Sequence, residues 1–273
     1  MGGIARILVL DVGNTNIKIG VARESVLESS FCLPTPERVT VDSLGLKIDG
    51  LLTAFGFLRR EIAAWVVSSV VPRLDQAIRE AGRRWFSCPV YFVPADIPLP
   101  VNNRYKRPQE VGADRLVSAY SATRIFSAET CIVVDFGTAT TLDCIQGDNY
   151  LGGLICPGVL SSIRALGTQT AKLPQVSLNR VKDDTPEIKI GESTKESLEN
   201  GLLFGFASMI QGLCIRLKDI IGKDSRVVAT GGLSENIAAV CPEIDEVCED
   251  LLLKGLLMIY FESINKDFGE DLT

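Results

Sequence analysis

Histidine is absent from the sequence of 273 residues. Without an imidazole group, the chain cannot build a Ser-His-Asp triad or a Cys-His pair, and histidine cannot ligate zinc. We therefore expect any acid–base catalysis to use a carboxylate as its proton acceptor.

Positive charge is also scarce, because 28 Lys and Arg are outnumbered by 34 Asp and Glu, and the net charge is −6. Nucleic acids and anionic membranes attract proteins through a basic surface. We therefore expect no nucleic-acid partner, and an anionic ligand must meet locally placed donors.

Long apolar runs are missing as well. The run from Ile7 to Leu10 stops at Asp11, and no run reaches the roughly 18 residues that span a bilayer. We expect neither a signal peptide nor a membrane anchor, and we expect a cytoplasmic protein.

The cysteines lack a metal-binding or redox pattern. Eight are present, none of them forms C-x-x-C, and most lie inside apolar runs. Metal ligands or a redox pair are the functional alternative, but we expect small buried hydrophobic residues in a reducing cytosol.

What the chain does contain is an apolar run ending in Asp-x-Gly, written twice. Residues 7–21 read "ILVLDVGNTNIKIGV" and residues 131–145 read "CIVVDFGTATTLDCI". A turn rich in Gly, Asn and Thr offers backbone N–H groups that bind phosphate oxygens, and the carboxylate beside it can hold a bridging cation. One copy alone is better explained as an ordinary hairpin turn. Two matched copies favour a polyphosphate gripped from both sides of a cleft.

The sequence around the two copies predicts a duplicated α/β fold. Each copy is followed by a third predicted strand and then by mixed helices and strands, which gives domains at residues 1–124 and 125–273. The segment 94–112 contains four prolines, so we expect an irregular functional loop there. Predicted strands occupy residues 6–11, 16–22, 26–33, 131–136, 139–145 and 150–156.

A third glycine-rich site occurs in "VVATGGLSEN", residues 227–236. A strand followed by Gly231-Gly232 and a helix start brings bare backbone close to a ligand, although a plain connection is the alternative. No P-loop occurs in the chain. Two phosphate motifs followed by this Gly-Gly resemble the actin, sugar kinase and Hsp70 superfamily, in which two ribonuclease-H-like domains close on ATP.

Within that superfamily the chain closely resembles type III pantothenate kinase. The resemblance covers residues 7 to about 260 and implies ATP-dependent phosphorylation of pantothenate to 4′-phosphopantothenate, the first step of coenzyme A synthesis. It also implies Mg²⁺ with ATP, a monovalent cation (K⁺ or NH₄⁺) and a homodimer. The motifs are "DVGNTN", "YKRPQEVGADRL", "DFGTATT", "GGLICPG", "KLPQV", "IGEST" and "TGG".

The resemblance also assigns residues to roles. Asp114 is implied as the general base, Asp135 as the ligand of the monovalent cation, and Asp11 as the Mg²⁺ residue, directly or through water. The implied ATP-binding residues are Asp11, Gly13, Asn14, Thr15, Lys18, Gly137, Thr138, Gly231 and Gly232. The implied pantothenate-binding residues are Tyr105, Gly112, Ala113, Asp114, Arg115 and Thr194.

Each polar assignment also has a purely structural alternative. Asp114 can be an acid favoured by the helix dipole, Arg115 a solvated surface residue, and Lys18 an exposed strand residue. Tyr105 can pack under the loop, and Thr194 can cap the long helix, with or without a ligand.

Two other functions fit the same scaffold. A phosphohydrolase would use water in place of pantothenate, although a hydrolase does not need the acceptor loop. A non-catalytic ATP-binding regulator would be free to lose some members of a set of four charged residues, which is intact here: Asp11, Asp114, Arg115 and Asp135.

Overall fold

The structure, a computed structural model, describes residues 5–169 and 187–270. The motif "KLPQV" therefore lies outside the described residues. Contacts divide the chain into two compact units. The first comprises residues 5–100, 109–121 and 252–270, and the second comprises residues 101–108, 122–169 and 187–251. The domain limits at 124 and 125 stay a prediction, and this grouping places residues 101–108, 122–124 and 252–270 differently.

The first unit contains a five-stranded sheet in the order β3-β2-β1-β4-β5. Strand β1 pairs antiparallel with β2 and parallel with β4. Helices α1 and α2 cover one face with a core of aliphatic and aromatic side chains. The elements are β1 (Arg6–Val12), β2 (Asn16–Arg23), β3 (Val26–Pro34), α1 (Val41–Ala54), β4 (Ile62–Ser69), α2 (Pro72–Phe86) and β5 (Val90–Phe92).

The second unit repeats this arrangement and adds one strand. Its sheet has the order β11-β10-β7-β8-β9-β6, so five of its strands follow the order of the first sheet. Two further helices, α3 (Ala113–Ile125) and α7 (Leu251–Glu270), begin in the first and second unit respectively. The other elements are β6 (Asn102–Asn103), β7 (Thr130–Phe136), β8 (Ala139–Gln146), β9 (Asn149–Pro157), α4 (Val159–Gln169), α5 (Thr194–Ile221), β10 (Arg226–Thr230), α6 (Ser234–Ala238) and β11 (Glu246–Val247).

The repeated strands confirm the predicted α/β fold. β-Branched runs form the central strands β1 and β7, and both have the same burial pattern along their seven residues. Helix α1 ends at Ala54, because Gly56 adopts a positive φ of 81° that an α-helix does not accommodate.

The expectation that residues 94–112 are irregular is wrong for strand β6 and for one turn of 3₁₀ helix at Pro108–Glu110. Strand β6 pairs parallel with β9, joining Asn102 to Asn149 and Asn103 to Tyr150. Two residues carry no readable periodicity, so only pairing with a distant edge strand creates this element.

The N-cap of helix α5 lies one residue before Thr194, the cap that the sequence offered as an alternative. Ser193, not Thr194, is the N-cap, and its side chain accepts a hydrogen bond from the Glu196 backbone N–H.

Helix α5 is long and apolar enough to cross a membrane by length and composition, and 22% of its most apolar 18-residue stretch is buried. One such helix among the described residues is weak evidence, since core helices pass the same test.

Candidate active site

The first Asp-x-Gly turn closes the end of β1. The Gly13 N–H donates to the carbonyl oxygen of Asn16 (3.0 Å). Thr35, which follows β3, holds this turn with two hydrogen bonds. Its hydroxyl donates to the Gly13 carbonyl at 2.6 Å, and its N–H donates to the Thr15 carbonyl at 2.9 Å. Asn14 and Thr15 are exposed at the tip. Sequence reasoning missed Thr35, which carries no local signal for this contact.

Asp11 lies between two polar neighbours in the sheet. It is paired with Lys18 on β2 and with Ser68 on β4, and side chains of directly paired residues share one face. Ser68 is fully buried, and its hydroxyl has no hydrogen-bond partner among the described residues. A buried hydroxyl in that state is suited to a partner that arrives with a ligand, such as a water or ion.

Asp114 lies at the start of α3, where its carboxylate is partly exposed. Its Oδ1 accepts a hydrogen bond from the Arg115 backbone N–H at 2.8 Å. A side chain at Gly112 would overlap this carboxylate and would lie 3.0 Å from Val70. Glycine at 112 therefore lets the acid fold back over the backbone.

Val70 connects this acid to the first turn within the same unit. The Val70 N–H donates to the carbonyl of Val12 at 3.0 Å, and a Cβ built on Gly112 would lie 3.0 Å from Val70 Cγ1. Further along α3, the Tyr120 hydroxyl donates to the Glu262 carboxylate of α7 at 2.7 Å. The helix that carries the predicted base is thus joined to α7 through Tyr120.

The second Asp-x-Gly turn joins β7 to β8 in the second unit. Asp135 is half-buried there, and Gly137 and Thr138 are exposed. Gly231, at the end of β10, has a φ of 90°, and a Cβ built on it would lie 2.7 Å from Asp135 Oδ1 and 2.8 Å from the Phe136 carbonyl oxygen. The structure thus brings the predicted cation ligand and the Gly-Gly turn into contact.

The start of α4 supports this second turn. The Ser161 hydroxyl donates to the Thr138 carbonyl at 2.7 Å, and a side chain at Gly158 would overlap the same carbonyl. The motif "GGLICPG" therefore ends in a glycine that permits close approach of the turn. Sequence reasoning did not assign a role to Gly158 or Ser161.

The predicted pantothenate residues are divided between the units. Tyr105 belongs to the second unit, and Gly112, Ala113, Asp114 and Arg115 belong to the first. Tyr105 is half-buried, and its ring lies against the backbone of Gly152 on β9. Thr194 is exposed in the first turn of α5.

No group of three His, Cys, Asp or Glu side chains suited to a metal occurs among residues 5–169 and 187–270. A site with only one or two carboxylates fits Mg²⁺ that arrives with a nucleotide, because Mg²⁺ keeps several waters and also binds phosphate oxygens. The partly exposed Asp11 carboxylate at a turn of backbone donors offers such a ligand.

The cysteines behave as the sequence predicts. All eight lie within the described residues and are free thiols, and six of them are buried. Burial raises the pKa of Cys88, Cys144 and Cys214 to about 12 and that of Cys131 to about 11. Such thiols stay protonated at neutral pH and do not act as nucleophiles.

Comparison with known proteins assigns the chain to a group of kinases. The family model described as type III pantothenate kinase matches residues 7–216. A type III pantothenate kinase of Nitratidesulfovibrio vulgaris is 49% identical over 256 residues, which cover 93% of this chain and 97% of the relative.

Solved structures support the fold. A Campylobacter jejuni protein described as a Baf family transcriptional activator has a TM-score of 0.58 at 19% identity and covers 94% of this chain and 99% of its own. A ROK family protein of Streptococcus pneumoniae, solved with sucrose, has a TM-score of 0.51 at 13% identity, with coverages of 96% and 99%. At these identities the likeness concerns the two-domain, actin-like α/β fold alone.

Proposed function

Because the chain belongs to the type III pantothenate kinase family, we propose how its residues divide the work of that family's reaction. The reaction is phosphorylation of pantothenate with ATP and a divalent metal ion, in coenzyme A biosynthesis, and this chain is a kinase of that kind. The family match over nearly the whole chain is the observation that carries this function.

We propose that the first Asp-x-Gly turn binds the phosphates of ATP. Gly13, Asn14 and Thr15 supply backbone and side-chain donors, and Lys18 adds a positive charge on the face of the sheet that carries Asp11. Asp11 holds Mg²⁺, directly or through water, and the metal neutralises phosphate charge when it is bound. In the second unit, Gly137, Thr138, Gly231 and Gly232 are the proposed ATP-binding residues.

Asp114 is the proposed general base, which accepts the proton of the attacking pantothenate hydroxyl. Its geometry supports this role, because one carboxylate oxygen accepts the Arg115 N–H and the side chain is still partly exposed. Arg115 offers a forked guanidinium that suits the carboxylate of pantothenate. The product in this proposal is 4′-phosphopantothenate, and Tyr105, Gly112, Ala113 and Thr194 complete the acceptor site.

Asp135 is the proposed ligand of a monovalent cation, K⁺ or NH₄⁺. Two observations support it: the carboxylate is half-buried, and the Phe136 carbonyl oxygen lies beside it at the Gly231 turn. Carboxylate and carbonyl oxygens are suitable donors for a hard cation. Comparing the rate in K⁺, NH₄⁺ and Na⁺ at constant ionic strength tests the assignment, and equal rates would contradict it.

We also propose that the protein is a homodimer of the cytoplasm. Family membership indicates a soluble biosynthetic enzyme. The second unit exposes several large apolar side chains, including Ile155 (66% exposed) and Ile220 (79% exposed), which a partner subunit would cover. Light scattering after size-exclusion chromatography is expected to give twice the chain mass, and a monomer at all concentrations would refute the dimer.

A coupled assay separates the kinase from its rivals. With K⁺ and Mg²⁺ present, ATP consumption is expected to require pantothenate. Robust ATP loss without any acceptor would favour a phosphohydrolase, and ATP binding without turnover would favour a regulator. Neither alternative is favoured by the curated relatives.

Asp114→Asn tests the proposed base. The change removes the proton acceptor and leaves a side chain of the same size, so we expect kcat to fall by about 100-fold or more while ATP affinity is preserved. Asp114 is not among the proposed phosphate ligands, so calorimetry with ATP serves as the control. An equal loss of ATP affinity would contradict the role of general base.

A further inference from the structure

The aromatic ring of Tyr105 packs against Gly152 on β9. A Cβ built on Gly152 would lie 3.3 Å from Tyr105 Cδ2 and 3.4 Å from Cε2. Gly152 also has a φ of 116°, which other residues adopt only under strain. It stands directly after a bulge, since Ile145 pairs with Tyr150 and Cys144 with Gly152, leaving Leu151 as the extra residue. Bulges of this kind re-aim a strand next to functional sites.

The backbone before Tyr105 is fastened to the same strand. The Asn102 N–H donates to the Asp148 carbonyl at 2.7 Å, and the Arg104 N–H donates to the Tyr150 carbonyl at 2.9 Å. Tyr150 is itself fixed, because it is fully buried and its hydroxyl donates to the buried Asp143 carboxylate at 2.6 Å. The segment therefore rests on a rigid part of β9.

The Asn103 side chain closes the turn that presents Tyr105. Its Oδ1 accepts the Tyr105 N–H at 3.0 Å, and its Nδ2 donates to the Pro108 carbonyl at 3.1 Å. These two bonds fix the backbone at Tyr105 and at Pro108. Asn103 is only partly buried, so its side chain contributes to the shape of this turn more than to the core.

We propose that Gly152 and Asn103 are positioning residues for the acceptor substrate, acting through Tyr105. Gly152 fixes the position of the ring because no side chain separates it from β9, and Asn103 fixes the backbone from which the ring projects. This inference rests on the proposed contact between Tyr105 and pantothenate. It makes recognition of the acceptor depend on β9, a strand that carries none of the proposed ATP-binding residues.

Gly152→Ala is the first test. The added methyl group requires the Tyr105 ring to move by a few tenths of an ångström, and we expect kcat/KM for pantothenate to fall by about tenfold with KM for ATP unchanged. Gly147→Ala is the matched control. Gly147 also has a positive φ, 53°, in the turn between β8 and β9, but no atom of the described chain lies within 4 Å of a Cβ there. Equal kinetic effects of both variants would overturn the proposal.

Asn103 provides a second test that avoids backbone strain. Asn103→Ala removes both hydrogen bonds and is expected to raise KM for pantothenate about fivefold. Asn103→Asp retains the acceptor for the Tyr105 N–H and is expected to rescue part of the loss. Melting curves should show that both variants stay folded.

A Tyr105→Ala background separates this inference from the function on which it rests. If Gly152 and Asn103 act through Tyr105, then Asn103→Ala adds nothing further in that background. An additive effect on KM for pantothenate would overturn the positioning role. If Tyr105→Ala alone leaves KM for pantothenate unchanged, the proposed contact itself fails. If Tyr105→Ala raises it and neither Gly152→Ala nor Asn103→Ala does, only the present inference fails.

Discussion

Replacing Gly231 by alanine tests the contact between the end of β10 and the second Asp-x-Gly turn. The new Cβ would lie 2.7 Å from Asp135 Oδ1, 2.8 Å from the Phe136 carbonyl oxygen and 2.9 Å from the Phe136 carbonyl carbon. Two of these atoms are backbone at the end of β7, a central strand, so they cannot rotate away as a side-chain tip would.

The expected cost of this change has two parts. An alanine at a φ of 90° costs about 1–3 kcal/mol of backbone strain. Ordinary contact begins near 3.4 Å, so relieving the overlap with Phe136 requires a shift of about 0.6 Å, and overpacking of this kind costs about 1–3 kcal/mol. We expect the free energy of unfolding to fall by about 3 kcal/mol in total.

The same shift is expected to disturb the proposed cation site. Displacing Asp135 by about half an ångström should reduce kcat/KM for ATP by about 10- to 100-fold and raise the K⁺ concentration needed for half-maximal rate. The measurements are urea unfolding followed by circular dichroism and a coupled kinase assay across K⁺ concentrations.

Gly232→Ala is the matched control for Gly231→Ala. Gly232 is the next residue, is exposed, and has no atom of the described chain within 4 Å of a Cβ built on it. We expect its free energy of unfolding to be close to that of the unchanged protein, and because Gly232 is itself a proposed ATP-binding residue this control concerns stability alone. If both variants lose stability alike, close contact with Asp135 and Phe136 is not what requires glycine at position 231.

Two further predictions concern stability. Gly255→Ala places a methyl group into Ser121, where α7 meets α3, and is expected to reduce the free energy of unfolding by about 2 kcal/mol. Gly50→Ala, in the exposed part of α1 with open space around it, is expected to raise that energy by about 0.5–1 kcal/mol, and unfolding curves that rank the two variants in the opposite order would refute both. Burial raises the pKa of three thiols to about 12 in the folded state, so above pH 9 the folded chain keeps protons that the unfolded chain releases. The free energy of unfolding therefore falls as pH rises, by about 1.4 kcal/mol per pH unit for each thiol. Unfolding curves at pH 8, 9 and 10 that coincide would contradict this effect of the residues Cys88, Cys144 and Cys214.

Local sequence was sufficient for most of the strands and for the two turns. The runs before Asp11 and Asp135 are β-branched and end in Asp-x-Gly, and both form central strands followed by tight connections. Helix α5 ends at Ile221, and Gly222, a residue typical of the position after a helix, follows it. These features depend on neighbours in the sequence, which is why a single sequence predicts them.

Contacts between distant residues account for what the sequence did not predict. Strand β6 exists only because β9 offers an edge, and the approach of Gly231 to Asp135 joins residues far apart in the chain. Ser193 and Thr194 are adjacent hydroxyl residues, and either can cap a helix, so only the geometry identifies Ser193 as the cap. Motifs could therefore supply the proposed site residues, which stay a prediction, but not the residues that support them.

The two sheets differ at one edge, and that difference bears on the proposed recognition of the acceptor. The edge strand β3 of the first sheet has no further strand beside it among the described residues, whereas the corresponding strand β9 is extended by β6. An exposed edge presents unpaired N–H and C=O groups, which the segment containing Asn102 and Arg104 uses on β9. A duplicated scaffold supplies one Asp-x-Gly turn in each unit, which accounts for the repetition of the motif proposed to bind phosphate but not for an acceptor site. The segment that carries the proposed acceptor residue Tyr105 is instead attached to the edge strand β9. Variants on β9 should therefore affect KM for pantothenate separately from KM for ATP.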